Sequence, residues 1–467
     1  MTIRFASPED LKQALDQVAV QKVGTEELTA SGCVLIEQLE FDCTQVTTLE
    51  PGKATFRRFI HHTDPNSGGT SGTKFLADYA SFKAKLNQMK EASASSLTLQ
   101  LVRGTLKLRA DLSVVNGKER ERGNLSCKLY PGATSDFRAL SEATTELASV
   151  AADQFSLWVS LLSEFGDFTS ESVEGMTATR TVVVSLGEGT IEGVTNNKNA
   201  YGAYLRAVMP AQISTAPVLS EPAFVDSDDD EEDDDHEDED SSDSPLGSAS
   251  NASPFKFAIE GKYLKRLSKL TSAAPIAIYR SGNWITFKGD IGSVTLRSFE
   301  PSFQLLRDYQ LFTPDKRWVK FGQRGVQGND LSSAVAMQGQ TEGGRADLAL
   351  IEKIPNLVVV PAQNITGSDC AYVNIDPSLV ELEWQPIVAS SLGLKAALKV
   401  LRQFATKLRL TSTTINLEQK YVQRPSGNKT WLLYLETAGA GGTPESVTCL
   451  LFARDLTTDI DLLDTDE

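Results

Sequence analysis

Residues 255–299 read FKFAIEGKYLKRLSKLTSAAPIAIYRSGNWITFKGDIGSVTLRSF, and this stretch indicates the building unit of the chain. It begins with a strand-like run, Phe255 to Glu260, and continues with a helix-like run, Gly261 to Leu270. Two β-rich runs follow, Ile276 to Phe287 and Ser293 to Phe299. The stretch therefore predicts a β-rich set of hairpins that carries one helix.

The predicted helix of this stretch is amphipathic. Tyr263, Leu267 and Leu270 recur at spacings of four and three, so they share one face. The remaining face is cationic and carries Lys262, Lys265, Arg266 and Lys269. We therefore expect the apolar face to pack on the strands and the positive face to contact a partner outside the unit.

The same pattern recurs along the chain, because further apolar helical stripes are each accompanied by strand-like runs. The stripes consist of Leu11, Leu15 and Val18; Tyr79, Phe82, Leu86 and Met89; Phe155, Trp158, Leu161, Leu162 and Phe165; and Leu394, Leu398, Leu401, Ala405 and Leu408. Such repetition predicts several copies of one helix-plus-sheet unit.

The stretch from Glu300 to Val388 shows the unit only weakly. Arg317 to Phe321 and Leu357 to Pro361 are predicted strands, and Arg345 to Ile354 is predicted to be a helix. The Gly-rich and Gln-rich sequence from Gly322 to Gly344 predicts long loops.

Acidic residues are concentrated in two short segments. The chain has 467 residues, 45 basic and 62 acidic, and a formal net charge of -17. Asp226 to Asp243 holds 14 acids and no Lys or Arg, and Asp455 to Glu467 holds six more acids. Without both segments the body has 45 basic and 42 acidic residues, so it is close to neutral and its net charge does not exclude a nucleic-acid partner. The length suggests about three domains.

Several functional classes find little support in the composition. The five cysteines are widely spaced without a Cys-x-x-Cys pair, so a disulfide framework or zinc site is not expected. No signal peptide and no apolar run of membrane-spanning length is present, which predicts a cytoplasmic protein that does not insert into a membrane. Three histidines and no Ser/His/Asp or Cys/His set give no support for an enzyme or for a cofactor.

Six helix-plus-sheet units in three pairs resemble the bacterial DNA polymerase sliding clamp family. The pieces that carry the resemblance are Lys74 to Leu112, Thr179 to Val208, Lys256 to Phe299 and Leu394 to Ala453. The resemblance implies an α+β, three-domain DNA-clamp-like chain, in which each domain contains two helix-plus-sheet repeats. It also implies a homo-oligomeric ring, a dimer or trimer, with sheets outside and helices around duplex DNA. A DNA polymerase and a clamp loader are the implied protein partners, and no chemistry or cofactor is implied.

The predicted domains are residues 1–140, 141–300 and 301–456. The Pro-, Ser-, Asp- and Glu-rich stretch 210–254 is predicted to be a disordered acidic linker inserted in the second domain, because it cannot bury a core. Residues 457–467 form an acidic tail beyond the last predicted strand.

The candidate DNA-binding residues are cations on three of the predicted helices. Lysine and arginine on an inner surface meet phosphates without reading bases, as a ring that slides requires. The first helix offers only Lys12 and Lys22, and the third offers none, so the predicted lining is uneven. The candidates are Lys83, Lys85, Lys90, Lys262, Lys265, Arg266, Lys269, Lys395, Lys399 and Arg402.

Other interpretations of the same features remain open. Lysines opposite an apolar stripe also form ordinary solvated helix faces. A β-rich structural or assembly protein, for example a virion component, would use the acidic linker and tail to bind basic partners. Charge reversal of the cationic helices and the shape of the assembly distinguish this alternative from a clamp.

Overall fold

The computed structural model describes most of the chain outside the acidic segments. The described residues are 2–18, 32–91, 94–103, 105–112, 122–127, 137–166, 181–197, 202–214, 255–270, 273–301, 309–312, 318–341, 344–345, 347–365, 370–410, 413–423, 429–439 and 443–456. The predicted acidic linker core and the predicted tail, 457–467, lie outside these ranges.

Helices are distributed along the whole chain. The helices are α1 (Pro8–Val18), α2 (Tyr79–Glu91), α3 (Ala152–Gly166), α4 (Leu264–Leu267), α5 (Gly328–Gln338) and α6 (Ser391–Lys407). A 3₁₀ turn, Gly261–Tyr263, leads into α4, so the helix predicted over 261–270 is present but short.

Strands surround each helix in sequence. The strands of the first half are β1 (Thr2–Phe5), β2 (Cys33–Glu40), β3 (Cys43–Glu50), β4 (Ala54–His61), β5 (Gly68–Gly69), β6 (Lys74–Asp78), β7 (Ala94–Val102), β8 (Thr105–Leu112), β9 (Arg122–Cys127), β10 (Thr145–Val150), β11 (Thr181–Gly187), β12 (Thr190–Asn196), β13 (Ala203–Pro210) and β14 (Gln212–Ile213). The strands of the second half are β15 (Phe255–Glu260), β16 (Ile276–Ser281), β17 (Trp284–Gly289), β18 (Gly292–Arg297), β19 (Val319–Gln327), β20 (Gln340–Thr341), β21 (Gly344–Arg345), β22 (Asp347–Lys353), β23 (Asn356–Pro361), β24 (Ala371–Glu381), β25 (Ile387–Ser390), β26 (Thr414–Gln423), β27 (Lys429–Ala438) and β28 (Ser446–Asp455).

The elements form six successive units, each with one strand, one helix and then three strands. Unit 1 is β1-α1-β2-β3-β4, unit 2 is β6-α2-β7-β8-β9, and unit 3 is β10-α3-β11-β12-β13. Unit 4 is β15-α4-β16-β17-β18, unit 5 is β19-α5-β22-β23-β24, and unit 6 is β25-α6-β26-β27-β28. The α+β architecture of repeated helix-plus-sheet units expected from the sequence is therefore confirmed.

The fifth unit corrects the prediction for residues 300–388. The predicted helix over Arg345–Ile354 is wrong, because this stretch forms strand β22. A strand buried on both faces has a continuous apolar run, here Leu348 to Leu350, which does not distinguish it from a buried helix. The helix lies instead in α5, within the predicted loops, where small residues such as Ala334 give a weak apolar stripe.

Each apolar stripe predicted on a helix faces the core. The large side chains of α3, including Phe155, Trp158 and Phe165, are almost completely buried. Gly193 on β12 lies under this helix, and a Cβ there would come within 2.5 Å of Leu162. A side chain at position 193 would therefore push α3 away from its sheet.

Two joints connect units that are distant in sequence, and both pair third strands. In the first joint, β4 of unit 1 pairs antiparallel with β18 of unit 4, for example at Phe56 and Val294. In the second, β13 of unit 3 pairs antiparallel with β28 of unit 6, for example at Leu205 and Cys449. Each joint extends a sheet from one unit into the other.

A connector between units 2 and 3 lies across the first joint. The backbone N–H of Leu140 donates to Thr55 Oγ1 on β4, and that of Ala143 donates to Thr286 Oγ1 on β17, each at 2.9 Å. Glu142 accepts from Lys288 Nζ at 2.8 Å and from Ser293 Oγ at 2.6 Å. Residues 137–144 therefore hold unit 1 and unit 4 together from outside the strands.

Contacts link the six helices in the order α2-α1-α4-α3-α6-α5, and Lys269, which follows α4, makes the link to α1. Tyr79 Oη of α2 donates to the Leu15 carbonyl of α1 at 3.0 Å. Gln403 Nε2 of α6 donates to Ser160 Oγ of α3 at 2.7 Å. This continuous helix layer lies on one side of the sheets and runs through all six units.

Candidate nucleic-acid interface

The ten predicted DNA-binding residues lie on α2, on α4 with its flanking turns, and on α6, so all belong to the helix layer. They differ in exposure. Lys265, Lys399 and Arg402 are exposed. The partly buried side chains are Lys83, Lys85, Lys262, Arg266, Lys269 and Lys395. Lys90 lies in α2, but its side chain is outside the described part of the structure.

Asp16 on α1 contacts lysines from two neighbouring helices. Lys83 Nζ of α2 lies 2.7 Å from Asp16 Oδ1, and this hydrogen bond raises the pKa of Lys83. Lys269, which follows α4, donates to the Asp16 carbonyl at 2.7 Å. Burial lowers the pKa of Lys269. Lys83 and Lys269 therefore tie three helices together as well as adding charge to the layer.

Glu50, the last residue of β3, accepts hydrogen bonds from side chains of the α4 region. Lys262 Nζ and Tyr263 Oη donate to Glu50 Oε2 at 3.0 and 2.8 Å. Burial and the Glu50 charge raise the pKa of Tyr263 far above its usual value. The guanidinium of Arg266 lies 5.7 Å from the ring centroid of Phe56. Lys262 and Arg266 thus contact unit 1, and sequence periodicity could not show this because the partners are more than 200 residues away.

The cations of α6 face the two neighbouring helices. Lys399 forms an ion pair with Glu164 of α3 and keeps 68% of its side chain exposed. Arg402 Nη2 lies 3.4 Å from Asn329 Oδ1 of α5, and Lys395 Nζ lies 3.4 Å from the Gly339 carbonyl. The three cations share a strip of α6 between α3 and α5, as the spacing of four and three predicted.

A free strand edge is a feature that the sequence analysis missed. Residues Ala371–Asn374 of β24 pair with β23 on one side, whereas Ile375 and Asp376 pair with β19. The structure describes no partner for the other edge of 371–374, and Tyr372 beside it is 61% exposed. The alternation of buried and exposed residues in β24 would have shown a strand, but not an open edge.

The described residues contain no group of His, Cys, Asp or Glu side chains arranged to hold a metal ion. No helix among them has the length and apolar character that crossing a membrane requires.

Comparison with known structures defines the class of fold. No protein-family model and no curated protein sequence matches the chain. The structure is similar to the DNA polymerase sliding clamp of Bacillus subtilis, with a TM-score of 0.66 and 11% identity over 97% of this chain and 98% of that chain. It is also similar to the Helicobacter pylori beta clamp, with a TM-score of 0.64 and 9% identity over 98% of this chain and 100% of that chain.

The DNA polymerase III beta subunit of Thermotoga maritima gives the same result. Its TM-score is 0.63 at 11% identity, over 98% of this chain and 100% of that chain. The chain therefore has the fold of bacterial DNA polymerase III beta sliding clamps along its full length, at low sequence identity. The resemblance inferred from the repeating pattern is confirmed at the level of the fold.

Proposed function

We propose that the protein is a DNA sliding clamp, a ring of identical chains that encloses duplex DNA and tethers a polymerase to it. The observation that carries this proposal is the continuous layer of six helices, with exposed cations on one side and sheets on the other. Such a surface attracts phosphates without reading bases, so the ring would be free to move along any sequence.

The internal joints support head-to-tail assembly. Third strands pair between units 1 and 4 and between units 3 and 6, and this leaves the third strands of units 2 and 5, β9 and β24. The same rule applied between copies pairs β24 of one chain with β9 of the next. A heterologous contact of this kind closes into a ring when the rotation per copy permits it.

Three domains follow from this arrangement as part of the proposal. Units 1 and 2 form residues 1–140, units 3 and 4 form 141–300, and units 5 and 6 form 301–456. The acidic sequence near 210–254 is inserted between units 3 and 4. The protein carries out no catalysis, acts in the cytoplasm, and needs a clamp loader to place it on DNA.

Within the helix layer, we assign phosphate attraction first to the exposed Lys265, Lys399 and Arg402. The other candidates add positive charge to the layer, and they are Lys83, Lys85, Lys90, Lys262, Arg266, Lys269 and Lys395. Lys83, Lys262 and Lys269 among them also contact a neighbouring helix or unit.

The test is retention on circular and linear DNA. The protein is placed on nicked circular duplex by a clamp loader, and the bound fraction is measured by gel filtration before and after one restriction cut. A ring remains on the circle and is lost from the cut molecule, because it slides off the ends. Equal retention on both forms, or a protein that stays monomeric in light scattering, would contradict the proposal and favour the structural or assembly protein.

A further inference from the structure

The contact between α3 and α6 contains two side-chain pairs that run in register. Lys399 of α6 meets Glu164 of α3, and Gln403 of α6 meets Ser160 of α3. The residues of each helix are four positions apart, so both pairs lie along the same line of contact.

The two pairs differ in their surroundings. Gln403 and Ser160 are both partly buried and form a hydrogen bond of 2.7 Å. Lys399 and Glu164 keep 68% and 37% of their side chains exposed. Exposed ion pairs are weak and are screened by salt, so the contact between α3 and α6 does not depend on this pair for its stability.

Glu164 also stands where it does not help its own helix. It lies in the last turn of α3, which contains no basic residue. The carboxyl end of a helix carries a partial negative charge, so a carboxylate there is unfavourable. Neither the helix nor the core explains an acid at this position.

We propose that Glu164 takes the place of a DNA phosphate at Lys399, so that DNA must displace it before this lysine can bind. A carboxylate and a phosphate both offer anionic oxygens to the ammonium group. This inference rests on the proposed sliding-clamp function and concerns the strength of its contact with DNA. By competing with phosphate, Glu164 keeps that contact weak and readily exchanged.

The test begins with Glu164→Gln, which removes the competing charge at nearly constant shape. Affinity for a short duplex is measured by fluorescence anisotropy over a range of salt. The variant should bind about two- to five-fold more tightly, as the loss of an exposed ion pair allows. The slope of log K against log salt should steepen by about 0.9, because one more lysine is free to neutralise a phosphate.

Asp153→Asn is the matched control, because Asp153 is an exposed acid in the first turn of the same helix. It removes the same charge from α3 without freeing Lys399, so it should have a smaller effect than Glu164→Gln. In a Lys399→Met background, the gain in DNA affinity caused by Glu164→Gln should shrink to the gain caused by Asp153→Asn.

Three results would overturn the inference. If Glu164→Gln raised the affinity for DNA equally with and without Lys399, Glu164 would act only by general repulsion of the phosphates. No tightening, while the wild type binds DNA, would show that no competition exists. A fall in Tm well beyond that of Asp153→Asn would make the pair a structural tie. If neither wild type nor any variant binds DNA at 50 mM salt, the proposed function itself fails and the inference falls with it.

Discussion

At the scale of single residues, the cations of the helix layer divide into two groups. Lys83, Lys262 and Lys269 have partners on other units or helices and hold the layer together. Lys399 and Arg402 also contact side chains of α3 and α5, but both remain exposed to solvent. Mutations in the first group should therefore affect stability as well as DNA binding, whereas mutations in the second should affect DNA binding alone.

Charge reversal of the α6 strip tests this division. Changing Lys395, Lys399 and Arg402 to Glu should weaken DNA binding by at least ten-fold at low salt and flatten its salt dependence by about two to three units of slope. Affinity is measured by anisotropy, and folding is checked by circular dichroism.

The matched control reverses three exposed cations that lie on strands and not on helices, Arg4, Arg109 and Lys353. These changes add the same charge but should reduce affinity far less. If both triple variants bind DNA like the wild type, the helix layer is not the DNA-binding surface.

Glu142 in the connector gives a prediction about pH. Burial alone would raise the pKa of Glu142, but hydrogen bonds from Lys288 and Ser293 outweigh it and hold the pKa below its usual value. A carboxylate with a lowered folded pKa stabilises the protein above its unfolded pKa of about 4.3, and this contribution is lost as the pH falls further.

Glu142→Gln should therefore lower the free energy of unfolding by about 1 kcal/mol at pH 7. The difference from wild type should shrink as the pH falls through 4 and below. Urea unfolding at several pH values measures it. A difference that stays constant with pH would mean that the ionised carboxylate is not what stabilises the joint.

At the scale of elements, sequence periodicity predicted helices well where the apolar stripe is made of large side chains. The stripes of α1, α2, α3 and α6 are buried as expected. Periodicity failed in unit 5, because α5 buries few large side chains, Leu331 and Val335 beside small residues, and β22 is covered on both faces. It also could not reveal which strands pair, since the two joints depend on contacts between residues more than 200 positions apart.

The open edge of β24 is the element on which the proposed head-to-tail assembly depends. Tyr372→Lys places a charge beside the free edge and should convert the oligomer to monomers, because an unpaired charge at a packed interface is costly. Light scattering measures the mass. Val380→Lys is the control, since Val380 is exposed on the half of β24 that runs beside β19.

The Val380→Lys protein should assemble like the wild type. When both variants are diluted to monomers, their melting temperatures should differ by only a few degrees, because neither side chain is in the core. Assembly that survives Tyr372→Lys unchanged would remove β24 from the interface between copies.

At the scale of the whole molecule, the sequence pattern predicted the fold, and the ring that it implies stays a prediction. Repetition of the unit, together with a nearly neutral body, was enough to suggest a clamp-like chain. The candidate DNA-binding cations stay a prediction, and three of them pair with Asp16, Glu50 and Glu164, which lie on other units. Electrostatic partners that are distant in sequence carry no periodic signal.

The proposed ring makes a topological prediction. Linear DNA with a bulky protein bound at each end should retain the clamp as long as circular DNA does, because retention depends on closed ends. Surface-plasmon measurements on end-blocked and open duplexes compare the two dissociation rates. Loss at the same rate from both would mean that the protein binds one side of the duplex without enclosing it.

The connector 137–144 has a mechanical consequence for such a ring. Where unit 1 meets unit 4, the peptide chain itself crosses the junction like a strap and contacts both units. The two units therefore stay connected even when the hydrogen bonds between β4 and β18 break. No peptide bond can bridge two separate copies in this way. Under strain, the seam between neighbouring chains should therefore give way first, while the junction beneath the strap stays shut.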